Sequence, residues 1–301
     1  MIRLGIDLGG TKTEIVAIAE DGTELYRHRE PSAHDYPGTL TTIAKLVNMA
    51  EAELGERGSL GVGIPGVVSP FTGLVKNGNS TWLHGHPLDK DLGELLDRDV
   101  RVANDANCFA VSEAIDGAAA GKGFVLGVIL GTGCGAGIAV NGQVHTGGNG
   151  IAGELGHTPL PWMTPEEFRS TKCFCGNYDC IETYISGTGF VRDFNEHHSE
   201  TPAKSGQDIT ALIAENHAGA KASFERYLDR LARCLAQFIN IMDPDVIVLG
   251  GGMSAVDAIY PELPARIASY VVGRESETPV VKNLHGGSSG VRGAAWLWPL
   301  N

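Results

Sequence analysis

The sequence predicts an α/β fold of two related halves, and three observations carry that prediction. Short apolar runs alternate with stretches of 3.6-residue periodicity along the 301 residues. Leu8-Gly9 and Leu130-Gly131 each end an apolar run, enter a glycine/threonine turn and lead into a second apolar run, a weak internal repeat. At Gly121-Lys122-Gly123 the pattern starts afresh.

Ile2–Leu8 reads as a strand ending at Gly9-Gly10. A second strand, Glu14–Ala19, turns at Asp21-Gly22, a strong hairpin signal. Thr39–Glu56 carries apolar residues at Leu40, Ile43, Leu46, Val47 and Ala50, the period of a helix. Leu60–Ile64 is a strand stopped by Pro65-Gly66, Leu88–Leu96 a helix, Val100–Ala103 a strand and Asp105–Ala119 a helix. Past the restart, strand Phe124–Leu130 enters the glycine-rich Gly131–Gly135, and Ala136–Val140 returns toward Asn141-Gly142. Helices follow at Ile209–Ala214 and Ala220–Met242, then strand Val246–Leu249 running into Gly250-Gly251-Gly252, and a last helix, Ser289–Trp298.

The length suffices for two domains with separate cores. With 43% hydrophobic and 20% charged residues the chain has the composition of a soluble globular protein. A formal charge of −13 argues against a nucleic-acid binder, which needs a basic face. A bound nucleotide stays open, because backbone amides and one magnesium ion offset a few phosphate charges locally. The 41 glycines sit in clusters, which points to specific turns and close ligand approach. The N-terminus carries no signal-peptide pattern, and no apolar run nears the roughly 18 residues of a membrane span. A cytoplasmic location is expected, where the clustered members among Cys108, Cys134, Cys173, Cys175, Cys180 and Cys234 favour metal over disulfide.

Asp7-Leu8-Gly9-Gly10-Thr11-Lys12-Thr13 sets a carboxylate at a strand end before two glycines and two hydroxyls. Glycines let backbone N–H groups approach phosphate oxygens, Thr11 and Lys12 add donors, and the acid suits magnesium. A tight hairpin without a ligand is the competing reading. Gly131-Thr132-Gly133-Cys134-Gly135-Ala136-Gly137 is the second such turn. Neither the P-loop spacing nor G-x-G-x-x-G after a strand occurs, so a nucleotide would lie between two hairpin turns and the Gly250–Gly252 strand exit. Asp105, opening a helix after Asn104, is either an N-cap or a general base facing a hydroxyl. Glu154-Leu155-Gly156-His157, Cys173-Phe174-Cys175 and Cys180-Ile181-Glu182 bring one imidazole and three thiols, the ligand set of a Cys₃His zinc site, although Cys-x-Cys is tighter than zinc-ribbon spacing. Glu154 and Glu182 beside the presumed ligands are either solvated acids or pocket walls. Cys108 and Cys234 lie on apolar helical faces and read as core.

Asp7–Lys12, Gly63-Ile64-Pro65-Gly66, Asn104–Asn107, Gly131–Gly135, Glu154–His157, the Cys-x-Cys…Cys-x-Glu segment and Leu249–Gly252 together resemble the ROK family of sugar kinases along essentially the whole chain. Within it, Asn77-Gly78-Asn79-Ser80-Thr81-Trp82-Leu83 and the tail Ser288–Trp298 look closest to bacterial fructokinase, also called manno(fructo)kinase. The resemblance implies an actin/hexokinase-like (ribonuclease H-like) two-domain ATPase fold with a small zinc-bound insertion. The smaller domain would comprise residues 1–118 and 289–301, the larger 119–288. It implies ATP-dependent phosphorylation of a hexose, D-fructose to fructose 6-phosphate with mannose second, Asp105 being the base. Kinases of N-acetylglucosamine, N-acetylmannosamine or glucose are the alternative. The family's sugar-sensing repressors are disfavoured, since the first glycine turn at Asp7 leaves no room for a DNA-binding module.

Carried over, Asn79, Asn104, Asp105, Glu154, His157 and Glu182 would hold the sugar. Asp7, Gly9, Gly10, Thr11, Lys12, Gly131, Thr132, Gly133, Gly135, Gly250, Gly251, Gly252 and Met253 would hold ATP and Mg²⁺. His157, Cys173, Cys175 and Cys180 would hold structural Zn²⁺, His157 serving metal and sugar through its two ring nitrogens. A homodimer is expected on the same ground. One departure stands out: where family members often have glycine before the third cysteine, this chain has Asp179.

Overall fold

In chain order the elements are β1 (Arg3–Leu8), β2 (Lys12–Ile18), β3 (Glu24–Pro31), α1 (Tyr36–Leu54), β4 (Ser59–Ile64), a ribbon of β5 (Val67–Val68) and β6 (Val75–Lys76), α2 (Leu88–Leu96), β7 (Val100–Asn104) and α3 (Asp105–Ile115). Then come β8 (Phe124–Leu130), β9 (Cys134–Val140), β10 (Gln143–Val144), α4 (Glu182–Ile185), α5 (Gly187–His197), α6 (Gly206–Ala214), α7 (Ala218–Met242), β11 (Val246–Gly250), α8 (Ile259–Ala268), β12 (Val280–Lys282) and α9 (Ser289–Ala295). The structure is a computed structural model and describes residues 2–78, 80–198, 200 and 202–299.

Two five-stranded sheets have one strand order, β3-β2-β1-β4-β7 and β10-β9-β8-β11-β12. The shared order is the structural form of the repeat that the two glycine turns announce. In each, the central strand runs parallel to the strands entered by helical crossovers, β1–β4–β7 and β8–β11–β12. Residues cluster into two compact units, Met1–Gly123 with Gly137–Gly153 and Leu284–Asn301, and Phe124–Ala136 with Glu154–Asn283.

In the first unit, α1 begins at Tyr36, three residues before its apolar period, because Asp35 caps it by accepting from Gly38 N at 2.7 Å. It stops at Gly55, whose φ of 67° only glycine takes readily. Ile43, Leu46, Val47 and Ala50 are fully buried on one stripe, each larger side chain contributing about 1.5–3 kcal/mol. α9 lies so close to β1, β4 and α3 that a Cβ on Gly5 would sit 2.1 Å from Val291 O, one on Gly61 1.9 Å from Ala294 O and one on Gly293 1.7 Å from Cys108 O. Buried Glu113 of α3 fastens this tail, accepting from Ser289 Oγ at 2.7 Å and Leu284 N at 3.0 Å. The same carboxylate accepts from Ala118 N, and α3 ends at Ile115, short of Ala119.

In the second unit, the 25-residue α7 buries Tyr227, Leu228, Leu231 and Leu235, and the Tyr227 hydroxyl donates to Ile185 O at 3.0 Å. Arg226, Arg230 and Arg233 recur along one face of this helix and engage Asp193 of α5 and Glu167 of the loop before it. Helices α5 and α8 and strand β12 escape the periodicity argument. α8 contains Pro264, β12 has three residues, and α5 shows only Phe190 and Phe194 as large buried apolar residues. Among the described residues, no helix is long and apolar enough to cross a membrane.

Candidate active site

The first glycine turn is held by its own backbone. Gly9 N donates to Lys12 O at 3.0 Å, while Ser32 donates from Oγ to Gly9 O at 2.7 Å and from N to Thr11 O at 3.0 Å. These bonds occupy the carbonyls of Gly9, Thr11 and Lys12, and Gly10, Thr11 and Lys12 stand exposed. A Cβ on Gly10 would meet nothing within 4 Å, so an open space lies above the turn. Asp7 sits in β1 opposite Glu14 of β2 and Gly63 of β4. Burial, then the charges of Asp105 and Glu14, push its carboxyl up to about 6. Two oxygen acids acting on each other in a buried place are the donor set of a hard cation such as magnesium.

Asp105 is the first residue of α3, and the helix cap is its neighbour. Asn104 Oδ1 accepts from Ala106 N at 2.9 Å with the extended backbone of an N-cap. Capping therefore does not depend on Asp105, although its Oδ1 also accepts from Ala106 N at 2.8 Å. Its place at the end of a parallel strand, in the same unit as Asp7, is where open α/β sheets carry ligands. Asn79 lies outside the described residues. Beside it, Gly78 packs so tightly that a Cβ would be 1.9 Å from Pro65 O, which joins the Gly63–Gly66 turn to this loop.

The second glycine turn comprises Gly131, Thr132 and Gly133, whose Gly131 N donates to Gly133 O at 3.0 Å. Gly135 belongs to strand β9. The start of α5 braces the turn: Gly187 N donates to Gly131 O at 2.7 Å, and Thr188 Oγ1 donates to Thr132 O. Gly250 ends β11, and Gly251 takes φ 78° where a Cβ would sit 2.6 Å from Leu130 O. A cavity of about 640 Å³ opens here, within the range of small-ligand sites. Met253 and Val256 give it apolar wall, and Thr132, Thr188, Lys204 and Gln207 give it polar groups. The segment Lys204–Thr210 and Thr188 escape sequence reasoning. Their one local signal is helix-cap chemistry, Ser186 on Gly189 N and the Ser205/Asp208 capping box.

His157, Cys173, Cys175 and Cys180 come together as their spacing suggests, with ligand atoms all within 4.8 Å of one another. Cys175 Sγ lies 3.6 Å from Cys180 Sγ, and Cys173 Sγ lies 3.6 Å from His157 Nδ1. Zinc–ligand lengths of about 2.0–2.3 Å in a tetrahedron require edges of roughly 3.5–3.8 Å, which these two pairs match. The sulfur separation is far beyond a disulfide bond of about 2.05 Å. With Nδ1 turned to the thiols, Nε2 is the nitrogen left for another partner. Asp179 takes φ 58° in place of the expected glycine, and its carboxylate accepts from Thr171 N and Tyr184 OH, each at 3.0 Å, and from Arg169 N. Aspartate thus supplies hydrogen bonds to the loop that glycine has no side chain to make.

The presumed sugar acids lie at the two ends of this knot. Glu154 is exposed just before the short turn Leu155–His157, and Glu182 opens α4 two residues after Cys180. Glu182 Oε2 accepts from Cys134 N at 3.0 Å, and a Cβ on Gly156 would lie 2.2 Å from Cys134 O. Both ends of the knot therefore converge on the residue after the second glycine turn.

The ROK family model matches residues 3–300 of this chain. The N-acetyl-D-glucosamine kinase of Yersinia pseudotuberculosis serotype O:3 (strain YPIII) is 40% identical over 299 residues, 97% of each chain. The ROK hexokinase from Thermus thermophilus superposes with a TM-score of 0.86 at 28% identity, covering 99% of this chain and 97% of that one. A ROK family glucokinase from Streptomyces griseus, in complex with glucose and AMPPNP, gives 0.77 at 25% identity over 98% of each. The fold is actin/hexokinase-like, as the resemblance implies.

The fructokinase expectation, and with it fructose as the substrate, is overturned by the N-acetyl-D-glucosamine kinase relatives. The reason is physical. Tail residues Val291, Ala294 and Ala295 are buried against strands and α3, Leu83 is fully buried, and Trp82 Nε1 donates to Thr39 Oγ1 at 3.2 Å. Trp82, Leu83 and the tail residues are thus fixed by packing, a constraint that does not read the sugar. With its model matched over nearly every residue, the chain belongs to the ROK family.

Proposed function

We propose that this chain transfers the γ-phosphoryl group of ATP to a hydroxyl of an N-acetylated hexosamine, N-acetyl-D-glucosamine ahead of its epimer N-acetyl-D-mannosamine. The observation that carries this reading is the 40% identity to an N-acetyl-D-glucosamine kinase over 97% of both chains. The AMPPNP-bound glucokinase relative and the 640 Å³ cavity beside the second glycine turn support ATP as donor.

Phosphoryl transfer passes through a loose transition state, so alignment and charge stabilisation outweigh basicity. Asp105 accepts the sugar hydroxyl proton late in the attack, and an ordinary carboxylate suffices. Asn79, Asn104, Glu154, His157 through Nε2 and Glu182 hold sugar hydroxyls. The turns at Gly9–Lys12 and Gly131–Gly133 receive phosphate oxygens through amides other than those of Gly9 and Gly131, which are bonded within their own turns, and Gly250–Met253 flank the adenosine. Asp7 is the residue to hold magnesium, which neutralises phosphate charge when bound. His157, Cys173, Cys175 and Cys180 would hold zinc, and with four protein ligands that ion would serve structure rather than chemistry.

A coupled assay of ATP turnover with N-acetylglucosamine, N-acetylmannosamine, glucose, mannose and fructose tests the reading. N-acetylglucosamine is expected to give a kcat/KM at least tenfold above every other sugar. A preference for glucose or mannose would defeat the amino-sugar assignment, and absence of turnover with all five would defeat the kinase itself.

A further inference from the structure

Glu182 stands between two tasks. As a presumed sugar ligand it needs a free oxygen, yet its Oε2 accepts from Cys134 N at 3.0 Å. Cys134 directly follows the glycine turn and is buried, so its N–H has this carboxylate where solvent would otherwise serve. The approach is tight enough to require glycine next door, since a Cβ on Gly133 would lie 2.4 Å from the same oxygen. On the other side of Cys134, Gly156 lets a second backbone segment come equally close, with a Cβ there 2.2 Å from Cys134 O.

We infer that Glu182 is a positioning residue for the nucleotide, holding the Gly131–Gly133 turn in its phosphate-receiving shape in addition to facing the sugar. The inference rests on the proposal that this turn binds ATP. With Oε2 spent on the turn, Oε1 is the oxygen left for a sugar hydroxyl. One side chain thereby sets the distance between the two substrates' sites in this unit. The braces from Gly187 N and Thr188 Oγ1 come from the helix that follows, so they reach the turn through the same short stretch of chain. Coupling between the two substrates follows: sugar binding at Oε1 restrains Glu182 and should tighten nucleotide binding, and the coupling must be reciprocal.

The test is calorimetric titration with magnesium-AMPPNP, with and without N-acetylglucosamine, on wild type, Glu182→Gln and Glu182→Ala. Wild type is expected to bind AMPPNP without sugar, and Glu182→Ala to bind it at least tenfold more weakly. Glu182→Gln keeps an oxygen acceptor for Cys134 N, so it should stay within about threefold of wild type for AMPPNP while losing at least tenfold for sugar. A merely structural role would not be rescued in this split way. Unaltered AMPPNP affinity in Glu182→Ala, or a Gln variant as weak as the Ala variant, would overturn the inference while leaving the kinase reading standing. Failure of wild type to bind AMPPNP would remove the kinase reading, and this inference with it.

Discussion

Arg233 and Glu167 meet at two points, Nη1 to Oε2 and Nη2 to Oε1, each 2.9 Å, with both side chains nearly closed to solvent. Arg230 Nε reaches the same Oε1 at 2.8 Å. The pair ties α7 to the loop that leads into the thiol knot. Burial by itself would raise the Glu167 carboxyl, but Arg233 and Arg230 hold it at about 2, below the ordinary 4.5. Removing one partner of such a buried pair strands the other charge, so Glu167→Gln is expected to lose about 3–5 kcal/mol at pH 7 by urea unfolding. A depressed carboxylate contributes stability above its unfolded pKa and loses it as pH falls through the folded value. The gap between variant and wild type should therefore narrow from pH 4.5 toward 2, and a pH-independent gap would contradict the ion-pair account.

Asp105→Asn separates base from cap. Asn104 Oδ1 continues to hold Ala106 N, so α3 should keep its first turn. A general base contributes about 10²–10⁴ in rate, and kcat is expected to fall by that factor. Binding of AMPPNP and N-acetylglucosamine should change by less than about threefold in titration. Retention of a tenth or more of wild-type kcat would remove Asp105 from its assigned role.

The chemistry is legible where it lies beside backbone punctuation. Asp7 and Asp105 end apolar runs, the glycine turns follow strands, and three thiols stand within eight positions. Such features are local, and local spacing survives folding. Glu182's bond to Cys134 joins residues 48 apart, and the cavity wall at Lys204–Thr210 lies over 70 residues beyond the turn it faces. Neither pairing leaves a periodic trace. The choice of sugar is illegible for another reason. Of the segments that look most specific, the tail is shaped by the packing of α9 on Gly5 and Gly61 of the sheet and of its own Gly293 on α3, and Leu83 is buried in the core. Asp179 illustrates the opposite case, where an unexpected residue keeps the turn and adds three hydrogen bonds to it.

Asp7 predicts a conflict between stability and function. Its carboxyl is raised to about 6 in the folded chain against 3.8 when free, first by burial and then by Asp105. The folded state therefore prefers the proton, and ionisation carries a stability cost that is fully incurred above about pH 6 and absent below 3.8. Asp7→Asn should stabilise the metal-free protein at pH 8, by at most about 3 kcal/mol, and leave it unchanged near pH 3.5. Phosphoryl transfer by the same variant should fall at least 100-fold. Magnesium should raise the melting temperature of wild type at pH 8 more than that of the variant. Destabilisation of Asp7→Asn at pH 8 would refute the burial argument.

Metal removal probes the thiol knot as a structural element. Burial pushes the Cys180 thiol up to about 12 and raises Cys173 as well, so without a cation the buried sulfurs retain their protons. A divalent ion must displace those protons, and binding should release them. Protein as purified is expected to carry about one zinc per chain. Chelation should lower the melting temperature and increase proteolytic cutting within 158–181, a segment held by two isolated β-bridges rather than by a strand or helix of its own. Because Gly156 and Glu182 both abut Cys134, AMPPNP affinity should fall along with sugar affinity. Cys175→Ser, at the exposed ligand, should reproduce the partial loss without chelator. Full activity and an unshifted melt in protein stripped of metal would show that the four ligands hold their geometry by packing alone.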